Sequence, residues 1–345
     1  MVDYERHAGA PDASPGETME EQPGADARRG DRTVLVTGAS GFVGTHACGE
    51  LARRGWQVRA LVRNQARAAR RLASVRAQLV VGDLRDATAL ASALRGVDAI
   101  VHLAAVAIER PGQDYESINT DATVALLGAA RAAGVERLLH MSQNGASSDS
   151  PYRFLRSKGV AEDRVRESGL AWTVFRPSVI FGPEDEFVNV LARLVRLSPV
   201  IYPLPGGGTA RFQPVSVDDV ARAIGVAVDR PETVERAFAL GGPEVLTLRQ
   251  MVRRILVAMK TKRLLVGVPV PLIRPLVAVA QRVLPNPPVT TSLLELLDLD
   301  NTISGPAPWP ELDIAPTHFA PRNLAYLERI DAREAMSAMM GRAGD

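Results

Sequence analysis

Short apolar segments rich in β-branched residues alternate with longer helical segments along the first half of this chain. The first apolar segment is VLVTG at 34–38, and the alternation continues to LAWTVFRPS at 170–178. The segments between them, such as FVGTHACGELARR at 42–54, place apolar residues at helical spacing. Parallel strands need crossovers of this length, which are right-handed and cover both faces of the sheet. The sequence therefore predicts an α/β fold, a doubly wound parallel sheet with helices on both faces.

The 345 residues divide where this alternation begins and ends. Residues 1–31 are rich in Pro, Gly, Ala and acids and carry no apolar run of signal-peptide length, so we interpret them as a disordered tail. Residues 32–181 form the predicted sheet domain. Residues 182–340 form a small C-terminal lobe, from which about 210–245 is expected to return to the sheet core. Because no targeting signal is found, we expect a cytoplasmic protein, either free or peripheral at the inner face of the membrane.

Charge and cysteine content argue against several classes of function. The 41 Lys and Arg residues nearly balance 39 Asp and Glu residues, and a net charge of +2 gives no field that would recruit nucleic acid. Cys48 is the single cysteine, so the chain can form no internal disulfide and no thiolate metal cluster. The five histidines are scattered, and we expect no metal site. No G-x-S-x-G sequence suggests a hydrolase serine.

The segment 264–290 is apolar but is interrupted by prolines and two arginines. A helix that spans a bilayer needs about 20 consecutive apolar residues, so we do not expect a transmembrane segment here. The favoured interpretation is buried structure of the C-terminal lobe. The alternative is a surface that rests on a membrane or a partner.

The loop between the first strand and the first helix carries the most informative motif, TGASGFVG. Gly38 permits a tight turn, Gly41 lets the backbone approach a pyrophosphate, and Gly44 lets the helix pack closely on the strand. The N-terminus of the helix adds free N–H groups and a partial positive charge. The spacing is G-x-x-G-x-x-G, and its position between a strand and a helix predicts dinucleotide binding. The expected contact residues are Gly38, Ser40, Gly41, Phe42, Val43 and Gly44.

The end of the second strand distinguishes the two nicotinamide dinucleotides. An acidic residue there would bind the ribose 2′-hydroxyl of NAD, whereas an arginine suits the 2′-phosphate of NADP. The chain has Arg63 at this place and no acid, and a guanidinium can bind phosphate through two hydrogen bonds. The chain is rich in arginine, so an ordinary surface arginine is the alternative. We expect NADP(H) to be favoured over NAD(H).

Two further strand ends are expected to contact the dinucleotide. The third strand ends at Asp83 and Leu84, where the carboxylate could accept a hydrogen bond from the adenine amine. The fourth ends in HLAA, where Ala104 and Ala105 leave room for the cofactor.

Six motifs together resemble the short-chain dehydrogenases/reductases of the extended or atypical type: TGASGFVG, GDL, HLAA, NTDAT, RPSVIFGPED and QPVSVDDVARA. More narrowly, RPSVIFGPEDEFVN, FALGGPE and LLELLDLDN are similar to the NDUFA9-like branch, which contains the 39-kDa subunit of respiratory complex I and its bacterial relatives. The resemblance covers residues 33 to about 320. It implies NAD(P)H binding on a Rossmann domain, followed by a small C-terminal lobe for a substrate or partner.

Catalytic members of that superfamily carry a Tyr and, four residues later, a Lys on one helix, with a Ser or Thr just after the preceding strand. A phenol has a pKa of about 10 and needs a nearby cation before it can exchange protons at neutral pH. One helical turn brings the two side chains together. The tyrosine then passes a proton while the nicotinamide exchanges hydride.

This chain keeps the lysine of that pair but not the tyrosine. Lys158 is preceded at four residues by Phe154, which has no proton to give, and at six residues by Tyr152. We expect a helix that is capped by Ser150 and places Tyr152 in its first turn, on the far side from Lys158. The candidate catalytic residues are Lys158, Tyr152 and Ser142, with Gln143 or Asn144 as alternatives to the serine; Lys158 and Pro177 are also expected at the nicotinamide end.

Three functions remain open from the sequence. The first is an NADP(H)-binding protein whose cofactor is structural or regulatory, or serves quinone-related redox metabolism in a membrane-associated complex. The second is an active NADP-dependent oxidoreductase or nucleoside-sugar epimerase/dehydratase, and the third is a nucleotide-sensing regulator. The apolar segment 264–290 favours a lipid-like substrate or a partner over a sugar nucleotide.

Overall fold

A computed structural model describes residues 32–109, 112–284, 294 and 299–340. The predicted tail at 1–31 and most of LLELLDLDN lie outside these residues. The strands are β1 Thr33–Thr37, β2 Gln57–Val62, β3 Ala77–Val81, β4 Ala99–His102, β5 Arg137–Met141, β6 Ala171–Pro177, β7 Ile180–Phe181, β8 Ile201–Pro205, β9 Arg211–Phe212, β10 Val215–Ser216, β11 Arg236–Leu240, β12 Leu246–Thr247 and β13 Leu264–Val268. The α-helices are α1 Phe42–Arg53, α2 Gln65–Arg71, α3 Ala87–Leu94, α4 Ala122–Ala132, α5 Arg153–Arg166, α6 Val188–Leu197, α7 Val217–Asp229, α8 Leu248–Ala258, α9 Val270–Val283 and α10 Ala332–Met339.

Seven strands form one parallel sheet in the order β11-β6-β5-β4-β1-β2-β3. The central strand β1 is buried along its whole length, as its apolar, β-branched sequence predicts. Val34 and Val36 belong to the core beneath α1 and α7, whereas Leu35 belongs to the core beneath α3 and α4. Side chains of a strand alternate between faces, so this division places helices on both sides. The predicted doubly wound fold is confirmed.

The chain returns to this sheet after it has started the C-terminal lobe. β11 pairs with β6 as an edge strand, and α7 packs beside α1. A later segment also joins this core: Trp309, Leu312 and Ile314 pack with α7, and the indole Nε1 of Trp309 donates to the carbonyl oxygen of Gly241 at 2.6 Å. The sheet domain is therefore assembled from segments that are far apart in sequence.

The C-terminal lobe has a hydrophobic core of its own. It is built from α6, α8 and the 3₁₀ segment Pro321–Arg329, and Phe181 packs edge-to-face on Phe319 at its centre. A capping box starts α8, in which Thr247 and Gln250 each accept from the other's backbone N–H. The lobe lies beyond the carboxyl end of β6, through the connection to β7.

The segment 264–284 is not buried, so the favoured sequence interpretation is wrong there; 285–290 lies outside the described residues. β13 pairs with β8 alone, in a small two-stranded sheet, and α9 contains Pro275 and buries Val277 as its single fully covered residue. Other apolar side chains of this region face solvent, from 53% to 72% exposed: Val200, Ile201, Leu264, Leu272, Leu276, Val279 and Val283. In the described part of the chain, no helix has the length and apolar character needed to cross a bilayer.

Candidate functional site

Two glycines of the loop after β1 are required by close backbone contacts. Gly38 has φ +70°, in the left-handed region, and a Cβ there would lie 2.8 Å from the backbone nitrogen of Ala104. A Cβ on Gly44 would overlap the carbonyl oxygen of Gly38. In both cases the obstructing atoms belong to the backbone and cannot rotate away. The loop is thus held against the segment that follows β4, and α1 packs directly on it.

The N-terminus of α1 is open to an anion. The helix begins at Phe42 with Gly41 as N-cap, and no side chain caps its first turn. The first N–H groups of a helix have no partner within the helix, and they lie at the positive end of its dipole. A loop of small residues, Gly38 to Gly41, followed by uncapped N–H groups, fits the pyrophosphate of a dinucleotide.

A cavity of about 330 Å³ opens at the carboxyl ends of β1, β2, β3 and β4. In a doubly wound sheet this edge is where ligands bind. The predicted residues that line it are Gly38, Ser40, Gly41, Arg63, Asp83, Leu84, Ala104 and Ala105. Phe42, Val43, Gly44, Lys158 and Pro177 lie outside its lining.

The charges in this cavity are mostly basic. Arg63 and Arg67 line it at the end of β2, and both side chains are exposed. Asp83 is the one acidic residue of the lining, and its carboxylate accepts from the backbone and the guanidinium of Arg85. That hydrogen-bonded guanidinium lowers the pKa of Asp83. The carboxylate therefore remains ionised and paired, while two guanidinium groups face the cavity.

A buried hydrogen-bond chain fixes the walls beside the glycine loop. The hydroxyl of Thr37 lies 2.7 Å from His102 Nδ1, and His102 Nε2 lies 2.9 Å from the hydroxyl of Thr123. Burial, together with the smaller effect of the Lys158 charge, lowers the pKa of His102 to about 3. The ring is therefore neutral and serves as a rigid link between β1, β4 and α4.

The side chain of Lys158, on α5, is buried against β5. It is 4% exposed, and its Nζ donates to the carbonyl oxygen of Met141 at 2.6 Å. Burial lowers the pKa of Lys158 to about 8, and Glu162, one helical turn later, opposes that shift. Glu162 is itself buried, which would raise its pKa, but hydrogen bonds from Arg176 and Arg166 bring the pKa below its ordinary value. The lysine amine is thus supported by a buried carboxylate that two arginines keep ionised.

Helix α5 begins later than the sequence predicts. Its N-cap is Tyr152, with extended backbone, and Arg153 is the first helical residue. The expectation that Tyr152 lies in the first turn is therefore wrong. The chain stays in a bend over 150–152, where the hydroxyl of Ser150 accepts from the backbone N–H of Tyr152 in a local turn.

Phe154 packs against another aromatic ring. Its centroid lies 5.6 Å from that of Tyr115, a buried residue whose hydroxyl donates to the carbonyl oxygen of Ala107 at 3.0 Å. Burial raises the pKa of Tyr115, and Glu109 raises it further. The phenol of Tyr115 is thus hydrogen-bonded to the backbone and packed beside Phe154.

Of the three polar candidates after β5, Ser142 is the least accessible. It is 2% exposed, whereas Gln143 and Asn144 are partly exposed. Asn144 Nδ2 donates to Asn301 Oδ1 at 3.0 Å and to the carbonyl oxygen of Thr302 at 3.1 Å. Pro177 accepts through its carbonyl from the backbone N–H of Asn144. Asn144 is thus partly exposed and joins the sheet domain to the segment around Asn301.

Comparison with known families agrees with this geometry. The profile of a family described as NAD(P)H-binding matches residues 38–231, from the first glycine of the loop to the end of α7. The chain belongs to this NAD(P)H-binding family. The cofactor is accordingly a nicotinamide dinucleotide, which supplies hydride exchange when bound. The residues that fit this cofactor are those of the glycine loop and those that line the cavity beside it.

Two curated relatives indicate which branch of the family this chain resembles. The mitochondrial NADH dehydrogenase (ubiquinone) 1 alpha subcomplex subunit 9 of Arabidopsis thaliana is 34% identical over 230 residues, which are 63% of this chain and 56% of that protein. Ceramide reductase of Caulobacter vibrioides is 33% identical over 188 residues, 54% of this chain and 58% of that protein. The chain thus spans less than two thirds of either relative. Its resemblance to the branch of the 39-kDa subunit is confirmed.

A solved structure supports the same fold. A dTDP-glucose 4,6-dehydratase from Streptomyces venezuelae, crystallised with NAD and TYD, has a TM-score of 0.65 and 25% identity. The match covers 86% of this chain and 96% of that chain. The Rossmann-like fold of the epimerase/dehydratase superfamily is therefore shared over most of the chain.

Sequence reasoning missed two residues of the site region. Glu162 follows Lys158 by one helical turn, and this spacing alone could have indicated the pair. Asn301 forms a hydrogen bond with Asn144, which is 157 residues away in sequence, and no local sequence pattern predicts that contact.

Gly44→Ala should abolish dinucleotide binding and destabilise the protein by about 1–3 kcal/mol, because the added methyl group overlaps backbone atoms. Gly49→Ala is the matched control on the same helix, since a Cβ there meets no atom within 4 Å. It should retain binding and gain about 0.5–1 kcal/mol of stability. Calorimetric titration with NADPH and urea unfolding measure both quantities. Equal binding by the two variants would contradict the role of Gly44.

The lowered pKa of Lys158 predicts a pH-dependent stability. The folded protein releases this proton at about pH 8, whereas the unfolded chain holds it to a higher pH. Stability therefore rises with pH above the folded pKa, and the cost of burying the charge is greatest below it. Between about pH 8.5 and 9.5, the free energy of unfolding of the wild type should rise by about 1 kcal/mol relative to Lys158→Met. Parallel pH profiles of the two proteins would show that Lys158 titrates normally.

Proposed function

We propose that the protein binds NADP(H) in preference to NAD(H) and uses it as a structural or regulatory ligand in redox metabolism, without the tyrosine–lysine proton relay. The observation that carries this proposal is Phe154, which occupies the relay position and packs on Tyr115. Tyr152 lies outside helix α5, at its N-cap. Lys158 remains as a buried amine that can hold the ribose hydroxyls of a dinucleotide.

The preference for NADP(H) is supported by the charges at the end of β2. Arg63 and Arg67 line the cavity there, and the single acid of its lining is paired with Arg85. A 2′-phosphate would meet two guanidinium groups, each able to donate two hydrogen bonds. A 2′-hydroxyl would find no free carboxylate among the described lining residues.

Arg63→Ala should weaken NADPH binding by roughly tenfold or more, because a charge-assisted hydrogen bond to phosphate is lost. NADH binding should change little, since NADH has no 2′-phosphate. Arg70→Ala is the control, because Arg70 is an exposed arginine on the following helix α2 and lies outside the cavity lining. Fluorescence titration with both dinucleotides gives the four affinities for each protein. Equal NADPH and NADH affinities in the wild type would overturn the preference.

We propose that the protein lies peripherally at the inner face of the membrane and associates with a redox complex. The exposed apolar side chains of α9 support it, because scattered single residues are common but a contiguous set marks a contact surface. Lys262, which is exposed, precedes β13 beside this region and suits anionic head groups. The NADH dehydrogenase subunits among the relatives favour a redox assembly.

Leu272→Glu combined with Val279→Glu should release the protein from membranes, because two charges enter an apolar contact. Val257→Glu is the control, since Val257 is 64% exposed on α8. Ultracentrifugation of lysed cells that express each full chain measures the bound fraction. A wild type that remains in the supernatant would contradict the proposed location.

A second candidate is reductase activity on a substrate other than a sugar nucleotide. It is favoured by the relative named ceramide reductase and by Asn144, a partly exposed amide at the end of β5. This activity would need a proton donor other than residue 154. NADPH oxidation that depends on added substrate and persists in Tyr152→Phe would favour it over a structural cofactor.

A further inference from the structure

A second cavity, of about 260 Å³, lies in the C-terminal lobe between α6, β8 and α9. Its volume is close to the lower end of the range for small-molecule sites, about 300 Å³. It is separate from the dinucleotide cavity, since the two share no lining residue. Nothing in the dinucleotide site accounts for it.

The walls of this second cavity are apolar. On α6, Val190, Leu191 and Leu194 face it, while Val188, Ala192 and Val195 of the same helix fill the lobe core. α9 contributes Ile273, Leu276, Val277 and Ala280, which recur at helical spacing. The helix α6 thus carries apolar residues on two sides, one for packing and one for the cavity.

The lining of this cavity includes two polar side chains, those of Glu186 and Tyr202. Glu186 is exposed, so its charge lies at the mouth. Tyr202 is 3% exposed, and burial raises the pKa of its phenol, which indicates poorly solvated surroundings. Among the described lining residues no other side chain carries an ionisable group.

Such a space is unfavourable when empty. Protein interiors are close-packed, and unfilled apolar volume forfeits the contacts of the atoms around it. Water does not fill a cavity that offers few hydrogen-bond partners. A hydrocarbon chain, in contrast, gains about the same free energy per methylene here as in a lipid phase.

The inner end of the cavity leads toward the sheet domain. Phe187 lines the cavity, and its ring centroid lies 5.3 Å from that of Phe212. Phe212 pairs with Asn301, which accepts from Asn144 at the carboxyl edge of the sheet. Three successive contacts between packed residues therefore lie between the cavity and the edge where the dinucleotide binds. Its outer side is open, because Leu276 lines it and is 71% exposed.

We propose that this cavity binds the hydrocarbon chain of a lipid-like molecule. The chain enters past Leu276 on α9. This binding does not depend on a dinucleotide at the glycine loop, because the two cavities share no lining residue.

The test uses cis-parinaric acid, a polyene fatty acid that fluoresces in apolar surroundings, titrated into the full chain. The binding should be saturable at one site. Saturated acids should displace it, with affinity rising by up to about fourfold per added methylene until the cavity is filled. Fluorescence that does not saturate would overturn the proposal.

Two variants test the site from opposite walls. Ala280→Phe on α9 and Val190→Phe on α6 should each weaken binding by roughly tenfold or more, because the ring occupies the volume of the chain. Val257→Phe is the control, since Val257 lies on α8 outside the lining and is 64% exposed. It should stay within about twofold of the wild type. Unchanged affinity in both cavity variants would overturn the proposal.

NADPH titration of the same variants separates this proposal from the preceding one. Ala280→Phe should bind NADPH as the wild type does, so loss of chain binding alone concerns this cavity. If the wild type binds parinaric acid but not NADPH, the cofactor proposal fails and the cavity proposal stands. Vesicles that carry parinaroyl-phosphatidylcholine distinguish the source: transfer from them identifies a membrane lipid, and binding of the free acid alone identifies a soluble one.

Discussion

The close approach of two loops at the carboxyl edge of the sheet determines the rest of the site. Gly38 at the end of β1 lies so close to the backbone of Ala104 after β4 that position 38 has no room for a Cβ atom. This contact fixes the position at which α1 starts and the opening of the dinucleotide cavity at the carboxyl ends of β2 and β3. The buried link from Thr37 through His102 to Thr123 holds the same strands without an ionised group. Binding of a dinucleotide follows from this rigid edge and from the uncapped helix beside it.

Helix α5 buries two charged side chains beside β5. Lys158 and Glu162 lie one turn apart on α5, and each would be costly to bury alone. Arg166 and Arg176 compensate the carboxylate, and the amine donates to the carbonyl oxygen of Met141. These contacts hold Lys158 in place, while Phe154, one turn earlier, packs on Tyr115.

Local pattern was sufficient for the sheet domain, because strand and helix periodicity and the glycine loop act over a few residues. The place of Arg63 directly after β2 was likewise predicted from the local pattern. The pairing of Asn144 with Asn301 and the exposure of α9 depend on packing between segments distant in sequence and were not predicted. The start of α5 after Tyr152 was missed as well, because Ser150 forms a local turn instead of capping the helix. An apolar composition cannot tell a buried helix from one that faces solvent, since only the packed neighbours decide it.

A crystal structure of the protein with NADP⁺ tests the central claim most directly, through the atoms nearest the nicotinamide C4 and the 2′-phosphate. The account predicts the 2′-phosphate at Arg63 and Arg67, the pyrophosphate at the glycine loop, and Lys158 at the nicotinamide ribose. It also predicts the ring of Phe154 near the nicotinamide, with no tyrosine hydroxyl in position to pass a proton. A hydroxyl of Tyr152 or Tyr115 within about 2.6–3.2 Å of the site of proton transfer would contradict it.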